Sequence, residues 1–204
     1  MRAVLDREGW LAIPGVLDAD AAADLAARAT AVLDGEDQRM NDKRAGGTRR
    51  AAELLDRLPE IRDLFEHPEV VAAVTHLVGP DVPLADVALR SPSPGFGEQS
   101  LHADDLPIER AGDCRAVTAI VALCPFTPDN GSTAVVPGTH LRPDLQRRPD
   151  RHGLARDEVR FLGPAGTAFV FSAHLLHRGT RNHSDAPRPA LQTQWRTGFA
   201  IPEP

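Results

Sequence analysis

The chain has 204 residues, of which 42% are hydrophobic and 25% are charged, a mixture typical of a globular protein. There are 23 Lys and Arg residues and 29 Asp and Glu residues, so the formal net charge is −6. This charge argues against a protein whose main role is to bind nucleic-acid phosphates or an anionic membrane. The two cysteines are too few for a disulfide framework, and neither a signal peptide nor a run of roughly 18 apolar residues is recognisable. We expect one soluble, cytoplasmic domain over residues 1–204, with no nucleic-acid or membrane partner.

The first part of the chain, about residues 1–80, is predicted to be mainly helical. Asp18 can accept an N-terminal hydrogen bond of a helix over Ala19–Leu33. Apolar periodicity predicts further helices over Ala51–Phe65 and Pro68–Val78, and the second of these begins at a proline and ends before a Gly-Pro pair. These helices are expected to pack on the outside of the core that the rest of the chain builds.

Residues 35–50, which follow the first of these helices, are rich in charge and contain glycine (GEDQRMNDKRAGGTRR). This composition predicts a mobile loop. A lid over a binding site and a solvated loop with no role are both compatible with it, so the role of the segment is left open.

Short strands separated by turn residues predominate over about residues 81–200. Glycine, proline and asparagine mark the turns, as in the segment PDNG. The predicted strands are Val82–Arg90, Gln99–Asp104, Arg115–Cys124, Ala134–Val136, Val159–Leu162, Gly166–Phe171 and Arg188–Phe199. This number of short strands favours a mainly β core with flanking helices, of the sandwich or jelly-roll type.

A candidate metal site begins with His102 and Asp104, which are separated by one residue in a predicted strand. Both side chains therefore point to the same face and can reach one metal ion. His177 follows a later strand, where a loop should begin. Two histidines and one carboxylate form the facial site that suits Fe(II), since it leaves three coordination positions open. A hydrogen-bonded structural histidine remains the alternative for His177.

Two rival functions use the same residues differently. His174 lies three residues before His177, and both could bind zinc together with His102 in a zinc hydrolase. That H-x-x-H pair needs helical spacing, whereas the surrounding pattern is typical of a strand. The second rival is a cupin-like barrel that binds a metal or a sugar without turnover.

Arg188 opens the last predicted strand, in which apolar and polar residues alternate. Leu191 and Trp195 share one face, whereas Gln192 and Gln194 share the other face with Arg188. If the polar face turns into a barrel, Arg188 can present its planar guanidinium group to a carboxylate. A solvent-facing edge strand would show the same alternation.

Taken in order, these motifs resemble the phytanoyl-CoA dioxygenase family of Fe(II)/2-oxoglutarate oxygenases. The opening segment REGWLAIPGVLDADAAADL is also similar to the family's usual start, so the resemblance extends from about Asp6 to Phe199. The motifs that carry it are His102-x-Asp104, Asp129-Asn-Gly131 leading into Val136-Pro-Gly-Thr-His140, Gly166-x-x-x-Val-Phe171, His177, Asn182 and Arg188.

The resemblance implies a double-stranded β-helix, or cupin-like jelly roll, and the cofactors Fe(II), 2-oxoglutarate and O2. By position, His102, Asp104 and His177 match the family's iron ligands. Arg188 matches the residue that pairs with the distal carboxylate of 2-oxoglutarate. The implied reaction is hydroxylation or oxidative ring closure of a small molecule, in natural-product or antibiotic tailoring such as that of a sugar-containing metabolite.

The sequence departs from the family pattern two positions after His177, where Gly179 replaces a hydroxyl residue that often helps to hold 2-oxoglutarate. Either Thr180 or Thr118 could substitute for it, and the alternative is that Arg188 alone holds the co-substrate. The chain is also short for the family, so a fatty acyl-CoA substrate is not carried over. The oligomeric state is left open. The candidate substrate contacts are Arg90, Gln99, Asp105 and His140.

Overall fold

The computed structural model of the protein describes residues 1–36, 47–148 and 150–198. Within these ranges nine strands form two antiparallel sheets, a larger one of six strands and a smaller one of three. The strands are β1 (Trp10–Ile13), β2 (Thr48–Ala51), β3 (Ala88–Pro92), β4 (Ala116–Ala122), β5 (Thr133–Val135), β6 (Val159–Arg160), β7 (Ala168–Ser172), β8 (His177–Gly179) and β9 (Ala190–Arg196). Their order is β1-β7-β4-β9-β3-β2 in the larger sheet and β6-β5-β8 in the smaller one.

Most helices precede β3 in the chain. The α-helices are α1 (Arg2–Glu8), α2 (Ala19–Asp34), α3 (Leu54–Arg57), α4 (Arg62–Phe65), α5 (Pro68–Val78) and α6 (Pro143–Gln146). Short 3-10 helices lie at Pro59–Ile61, Thr139–Leu141 and His152–Asp157. In the described part of the chain, no helix has the length and apolar character needed to cross a membrane.

Strand β4 lies at the centre of the core and is buried on both faces. Val117, Ala119 and Val121 belong to the hydrophobic cluster that also contains side chains of α2, α4 and α5. Ile120 and Ala122 point the other way, into a second cluster shared with the smaller sheet. This alternation follows from the two-residue period of a strand. The larger sheet is therefore the middle layer, between the helices and the smaller sheet, which confirms the predicted jelly roll with flanking helices.

Of the three helices predicted from the sequence, two begin at the residues that were predicted to start them, and one is broken. Helix α2 begins after Asp18, whose carboxylate accepts a 2.8 Å hydrogen bond from Ala21 N, and α5 has its predicted bounds. The single helix predicted over Ala51–Phe65 is instead divided into α3, a 3-10 turn and α4. Pro59 causes the break, because it lacks an N–H and disfavours helical backbone at Leu58, where φ is −138°.

The N-terminal part contributes strands as well as helices, which the sequence pattern did not predict. Strand β1 pairs with β7 and β2 pairs with β3, so both edges of the larger sheet come from this part. The end of the predicted loop, residues 48–50, therefore belongs to β2, and residues 37–46 lie outside the described residues. Phe199, predicted to end the last strand, also lies outside them. Strand pairing over such sequence distances depends on tertiary context more than on local preference.

Candidate metal centre

His102 and His177 face each other across an antiparallel bridge. His102 N donates to His177 O at 2.9 Å, and His177 N donates to His102 O at 2.8 Å. The strand predicted over Gln99–Asp104 is reduced to this isolated bridge. Asp104 is held beside the pair by its own backbone, since Asp104 N donates to Ala173 O at 2.8 Å. The backbone thus brings together three side chains that lie far apart in sequence.

The three side chains present one ligand atom each, and these atoms lie within 4.8 Å of one another. Both histidines use Nδ1 for a backbone carbonyl group: His102 bonds Ser100 O at 2.8 Å, and His177 bonds Leu175 O at 3.0 Å. Because Nδ1–H is the donor in these bonds, each Nε2 keeps its lone pair for a metal ion. The two Nε2 atoms lie 3.8 Å and 3.5 Å from Asp104 Oδ1.

The second carboxylate oxygen of Asp104 is bound within the protein. Thr118 Oγ1 donates to Asp104 Oδ2 at 2.8 Å, and Gln194 Nε2 donates to the same oxygen at 3.0 Å. Gln194 Nε2 also donates to Thr118 Oγ1 at 3.1 Å, which closes the network. These bonds orient the carboxylate so that Oδ1 faces the histidines, as outer residues of metal sites do. Gln194 lies on the polar face of β9, which turns inward and does not face solvent as an edge strand would.

The lowered pKa values of Asp104 and His102 suit metal binding, whereas the raised pKa of His177 opposes it. Burial raises the pKa of Asp104, but the neighbouring His177 and the hydrogen bond from Thr118 outweigh it, so the net pKa lies well below its ordinary value. Burial lowers the pKa of His102, and the proximity of His177 lowers it further. Burial also lowers the pKa of His177, but the Asp104 carboxylate reverses the net direction. An ionised carboxylate beside a neutral imidazole is the protonation state that a metal ion requires.

A cavity of about 130 Å³ adjoins the triad, and Arg188 forms part of its wall. The Arg188 side chain is buried, its Cζ lies 4.5 Å from the centre of the Phe126 ring, and its Nε has no hydrogen-bond partner among the described residues. Burial lowers the pKa of Arg188 to about 10, so the group is still charged at neutral pH. A buried cation without a carboxylate partner is costly, and an anion from outside the chain would fit it.

The wall of this cavity also contains Gly179 on β8 and Thr133 directly opposite it on β5. A Cβ at position 179 would lie 2.5 Å from Gly97 O and 2.9 Å from Gln99 Oε1, so no side chain fits there. Thr133 therefore offers a hydroxyl group next to the position where Gly179 lacks one. Sequence reasoning missed Thr133, because only the register of β5 against β8 pairs the two residues.

Thr118 and Thr180, the predicted substitutes for that hydroxyl, do not line the cavity. Thr180 Oγ1 donates to Ser132 O at 2.7 Å and accepts from Arg160 Nη1 at 2.6 Å. Thr118 donates to Asp104, as described above. Both hydroxyl groups therefore satisfy groups of the protein itself.

Of the four predicted substrate contacts, Arg90 and Gln99 line the cavity. Asp105 and His140 do not, and the structure corrects their assignment. The side chain of Asp105 is only 5% exposed and forms an ion pair with Arg196 at 3.0 Å. His140 is buried against the backbone of α1, where its Nε2 lies 3.3 Å from a carbonyl oxygen. Both residues stabilise the surroundings of the site instead of facing it.

His174 does not join the triad. Its Nε2 accepts from Arg115 N at 3.1 Å, and its Nδ1 lies 3.1 Å from Leu106 O. Both ring nitrogens are thus used by backbone groups, and the side chain is fully buried. No nitrogen remains for zinc, which argues against the zinc site with His102 and His177.

A sequence model described as phytanoyl-CoA dioxygenase (PhyH) matches residues 5–190. The chain belongs to the phytanoyl-CoA dioxygenase family. The matched range contains the triad, Arg188 and Thr133, and it confirms the resemblance that the motifs indicate. His102, Asp104 and His177 can hold one face of an octahedral metal ion and leave the other face open.

Two curated proteins similar to this family member are longer than it is. A protein of Mycobacterium tuberculosis is 32% identical over 146 residues, which are 70% of this chain and 50% of that protein. Dioxygenase trt7 of Aspergillus terreus is 30% identical over 163 residues, which are 74% of this chain and 54% of the relative. The chain thus spans about half the length of the curated relatives it matches.

Solved structures of other proteins share the fold of this member of the phytanoyl-CoA dioxygenase family. The α-ketoglutarate-dependent epimerase SnoN from nogalamycin biosynthesis has a TM-score of 0.78 and 25% identity, covering 98% of this chain and 83% of SnoN. EctD from S. alaskensis with bound Fe has a TM-score of 0.73 and 22% identity, covering 96% of this chain and 75% of EctD. Both likenesses agree with the arrangement of two sheets described above.

Proposed function

We propose that this protein is an oxygenase that uses Fe(II), 2-oxoglutarate and O2 to oxidise a small molecule. The observation that carries the proposal is a single cavity lined by both the triad of His102, Asp104 and His177 and the unpartnered guanidinium group of Arg188. The open face of the metal needs a chelating co-substrate, and the buried cation needs an anion. A 2-oxo dicarboxylate meets both needs, whereas a barrel that only bound a metal or a sugar would have no use for Arg188.

The metal ligands in this proposal are His102 Nε2, Asp104 Oδ1 and His177 Nε2. Their supporting bonds fix the two imidazole tautomers and the plane of the carboxylate before the metal arrives. When bound, Fe(II) and 2-oxoglutarate supply the oxidising chemistry, in which O2 is consumed and succinate and carbon dioxide are released. The contribution of the chain is ligation and orientation.

Arg188 would bind the distal carboxylate of 2-oxoglutarate through its planar pair of donors, which match the two carboxylate oxygens. The Phe126 ring, stacked on the guanidinium group, holds the group in one orientation. Thr133 would donate a further hydrogen bond to the same carboxylate from the wall of the cavity. Together these residues set the direction from which the co-substrate enters the metal centre.

We further propose that the reaction is a hydroxylation or an oxidative ring closure in natural-product tailoring, for instance of a sugar-containing antibiotic. Similarity to SnoN, an epimerase of nogalamycin biosynthesis, supports the natural-product part of this proposal, and the reaction type is carried over from the family resemblance. SnoN has also been solved in complex with Fe3+, α-ketoglutarate and nogalamycin RO, which is a small-molecule complex of the kind proposed here.

The proposal is tested anaerobically on metal-free protein. Fe(II) is added first and 2-oxoglutarate second, and the weak visible charge-transfer band of the chelate is recorded. We expect the band in the wild type, its loss in His102→Ala and its retention in His183→Ala, a control at an exposed histidine.

Arg188→Lys keeps a positive charge but loses the paired donors, so the band should then require about 10- to 100-fold more 2-oxoglutarate. An unchanged requirement would remove Arg188 from its proposed role. Absence of the band in the wild type, together with tight zinc binding, would favour the binding protein or the zinc enzyme instead.

A further inference from the structure

A second cavity, of about 270 Å³, lies beside the metal centre, and we call it the Arg90 cavity. Arg90, Asp104 and Gln192 line both this cavity and the one that contains the triad, so the two cavities adjoin at a metal ligand. Ala85 and Asp86, which also line the Arg90 cavity, are exposed to solvent. A small molecule can therefore approach the metal centre from this side.

The lining of the Arg90 cavity is polar. Seven of its nine lining residues carry polar or charged side chains, and the other two are alanines. Among the described residues that line it there is no aromatic and no branched aliphatic side chain. Ligand pockets are usually lined mainly by apolar groups, and a flat hydrocarbon placed here would leave polar groups without partners. The lining therefore favours a compact polar molecule over a lipid or a polycyclic aromatic compound.

Two arginines lie side by side in this lining. Arg50 on β2 and Arg90 on β3 are directly opposite each other in the larger sheet. Like charges in opposed positions repel each other. Burial lowers the pKa of Arg90, and the charge of Arg50 lowers it further. The Asp104 carboxylate offsets part of this effect at Arg90, and a bound anion would act in the same direction.

The described residues leave the guanidinium group of Arg90 without an ion pair or a hydrogen bond. Two acidic side chains line the same cavity, Asp86 and Asp104. Asp86 Oδ2 accepts a 2.6 Å hydrogen bond from Glu53 N. The Asp104 carboxylate attracts Arg90 without forming an ion pair with it, and its Oδ2 is bound by Thr118 and Gln194. Gln192, on the polar face of β9, also forms no side-chain hydrogen bond with the described residues, so its amide can donate to a ligand. A charged donor and a neutral donor thus converge where the two cavities adjoin.

We propose that the Arg90 cavity binds the primary substrate, and that this substrate is a polar small molecule with a carboxylate group, which Arg90 binds. The planar guanidinium group matches the two carboxylate oxygens, and Gln192 donates beside it. This inference rests on the proposed function, because it takes the triad as the reacting centre. It assigns the two arginines that line the metal-centre cavity different ligands: Arg188 holds the co-substrate and Arg90 holds the substrate.

The test uses the full chain, labelled with 15N-arginine, loaded with Zn(II) in place of iron and saturated with N-oxalylglycine, an unreactive analogue of 2-oxoglutarate. Acetate and its neutral isostere acetamide are titrated at constant ionic strength, and the arginine Nε–Hε signals are followed by NMR. We expect acetate to shift the Arg90 signal to saturation and acetamide to bind at least about ten-fold more weakly, since only acetate forms a charge-assisted bond. Arg90→Gln should abolish acetate binding, whereas Arg181→Gln, a control at an exposed arginine, should preserve it.

Three results would overturn the proposal. The first is an Arg90 signal that does not respond to acetate, and the second is equal binding of acetate and acetamide. The third is a loss of N-oxalylglycine affinity in Arg90→Gln as large as that in Arg188→Gln, because Arg90 would then belong to the co-substrate site. Failure of the proposed function is distinguishable: the wild type would form no band with Fe(II) and 2-oxoglutarate, while acetate titrated into the protein without metal or N-oxalylglycine would still shift the Arg90 signal and support the anion site.

Discussion

Gly179 N donates a 2.8 Å hydrogen bond to Gln99 Oε1, and the Gln99 side chain occupies space that a side chain at position 179 would need. This hydrogen bond joins the segment before His102 to β8 at the wall of the cavity that adjoins the triad. This contact explains in physical terms why a hydroxyl residue is absent two positions after His177: the Gln99 amide fills its place.

The first prediction concerns this contact. Gly179→Ala should reduce the free energy of unfolding by about 1–3 kcal/mol, because its Cβ would meet the Gly97 carbonyl oxygen and Gln99 at distances that force a rearrangement. Gly153→Ala is the matched control, since a Cβ there meets nothing within 4 Å. Urea unfolding of both variants provides the measurement, and equal stability of the two would contradict the prediction.

The second prediction concerns the hydroxyl group of Thr133. Thr133→Val should weaken 2-oxoglutarate binding by about 2- to 10-fold, the value of one hydrogen bond, without changing Fe(II) binding. Thr180→Val removes a hydroxyl that serves only Ser132 and Arg160, so it should lower stability and leave the co-substrate affinity unchanged. Anaerobic titration of the visible band measures both affinities. A larger effect of Thr180→Val than of Thr133→Val on 2-oxoglutarate affinity would contradict this prediction. It would support the assignment of Thr180 to the co-substrate that was made from the sequence.

The third prediction concerns the orientation of Asp104. Thr118→Val removes a hydrogen bond to Asp104 Oδ2 and should lower metal affinity by about 10- to 100-fold, as loss of supporting residues around metal sites does. Thr118→Ser keeps the donor and should largely restore the affinity. Competition with a chromophoric chelator for Co(II) measures these changes. Equal affinities of the valine variant and the wild type would show that Gln194 alone can orient the carboxylate.

The fourth prediction concerns acid stability through His140. Burial lowers the pKa of His140 from its ordinary value of 6.5, so below that pH the unfolded chain binds a proton more readily than the folded protein. Stability should therefore be fully present above pH 6.5 and decrease below it, with a slope of up to about 1.4 kcal/mol per pH unit from this residue. His140→Gln should show a shallower decrease in urea unfolding between pH 7 and pH 5, relative to the wild type. A variant with the same slope as the wild type would contradict this assignment.

Much of the local structure could be predicted because it depends on neighbouring residues. The carboxylate of Asp18 caps α2, and the proline at the start of α5 and the glycine after it mark the bounds of that helix. The alternation along β9 predicted that Gln192 and Gln194 share one polar face, and the structure turns this face inward. One-residue spacing likewise predicted that His102 and Asp104 point the same way, although only His102 lies in a bridge and neither lies in a full strand.

The sequence by itself therefore determined the family and the residues of the triad, and it indicated Arg188, to which we assign the co-substrate, since ordered motifs and strand parity are local properties. Only the tertiary structure decided which other polar residues reach the site. Asp105 and His140 lie next to the expected motifs, yet an ion pair with Arg196 and burial against α1 remove them from the cavity. Thr133 and Arg90 line the cavity because of the register and order of their strands. Register and order depend on pairings between distant segments, which no local pattern specifies.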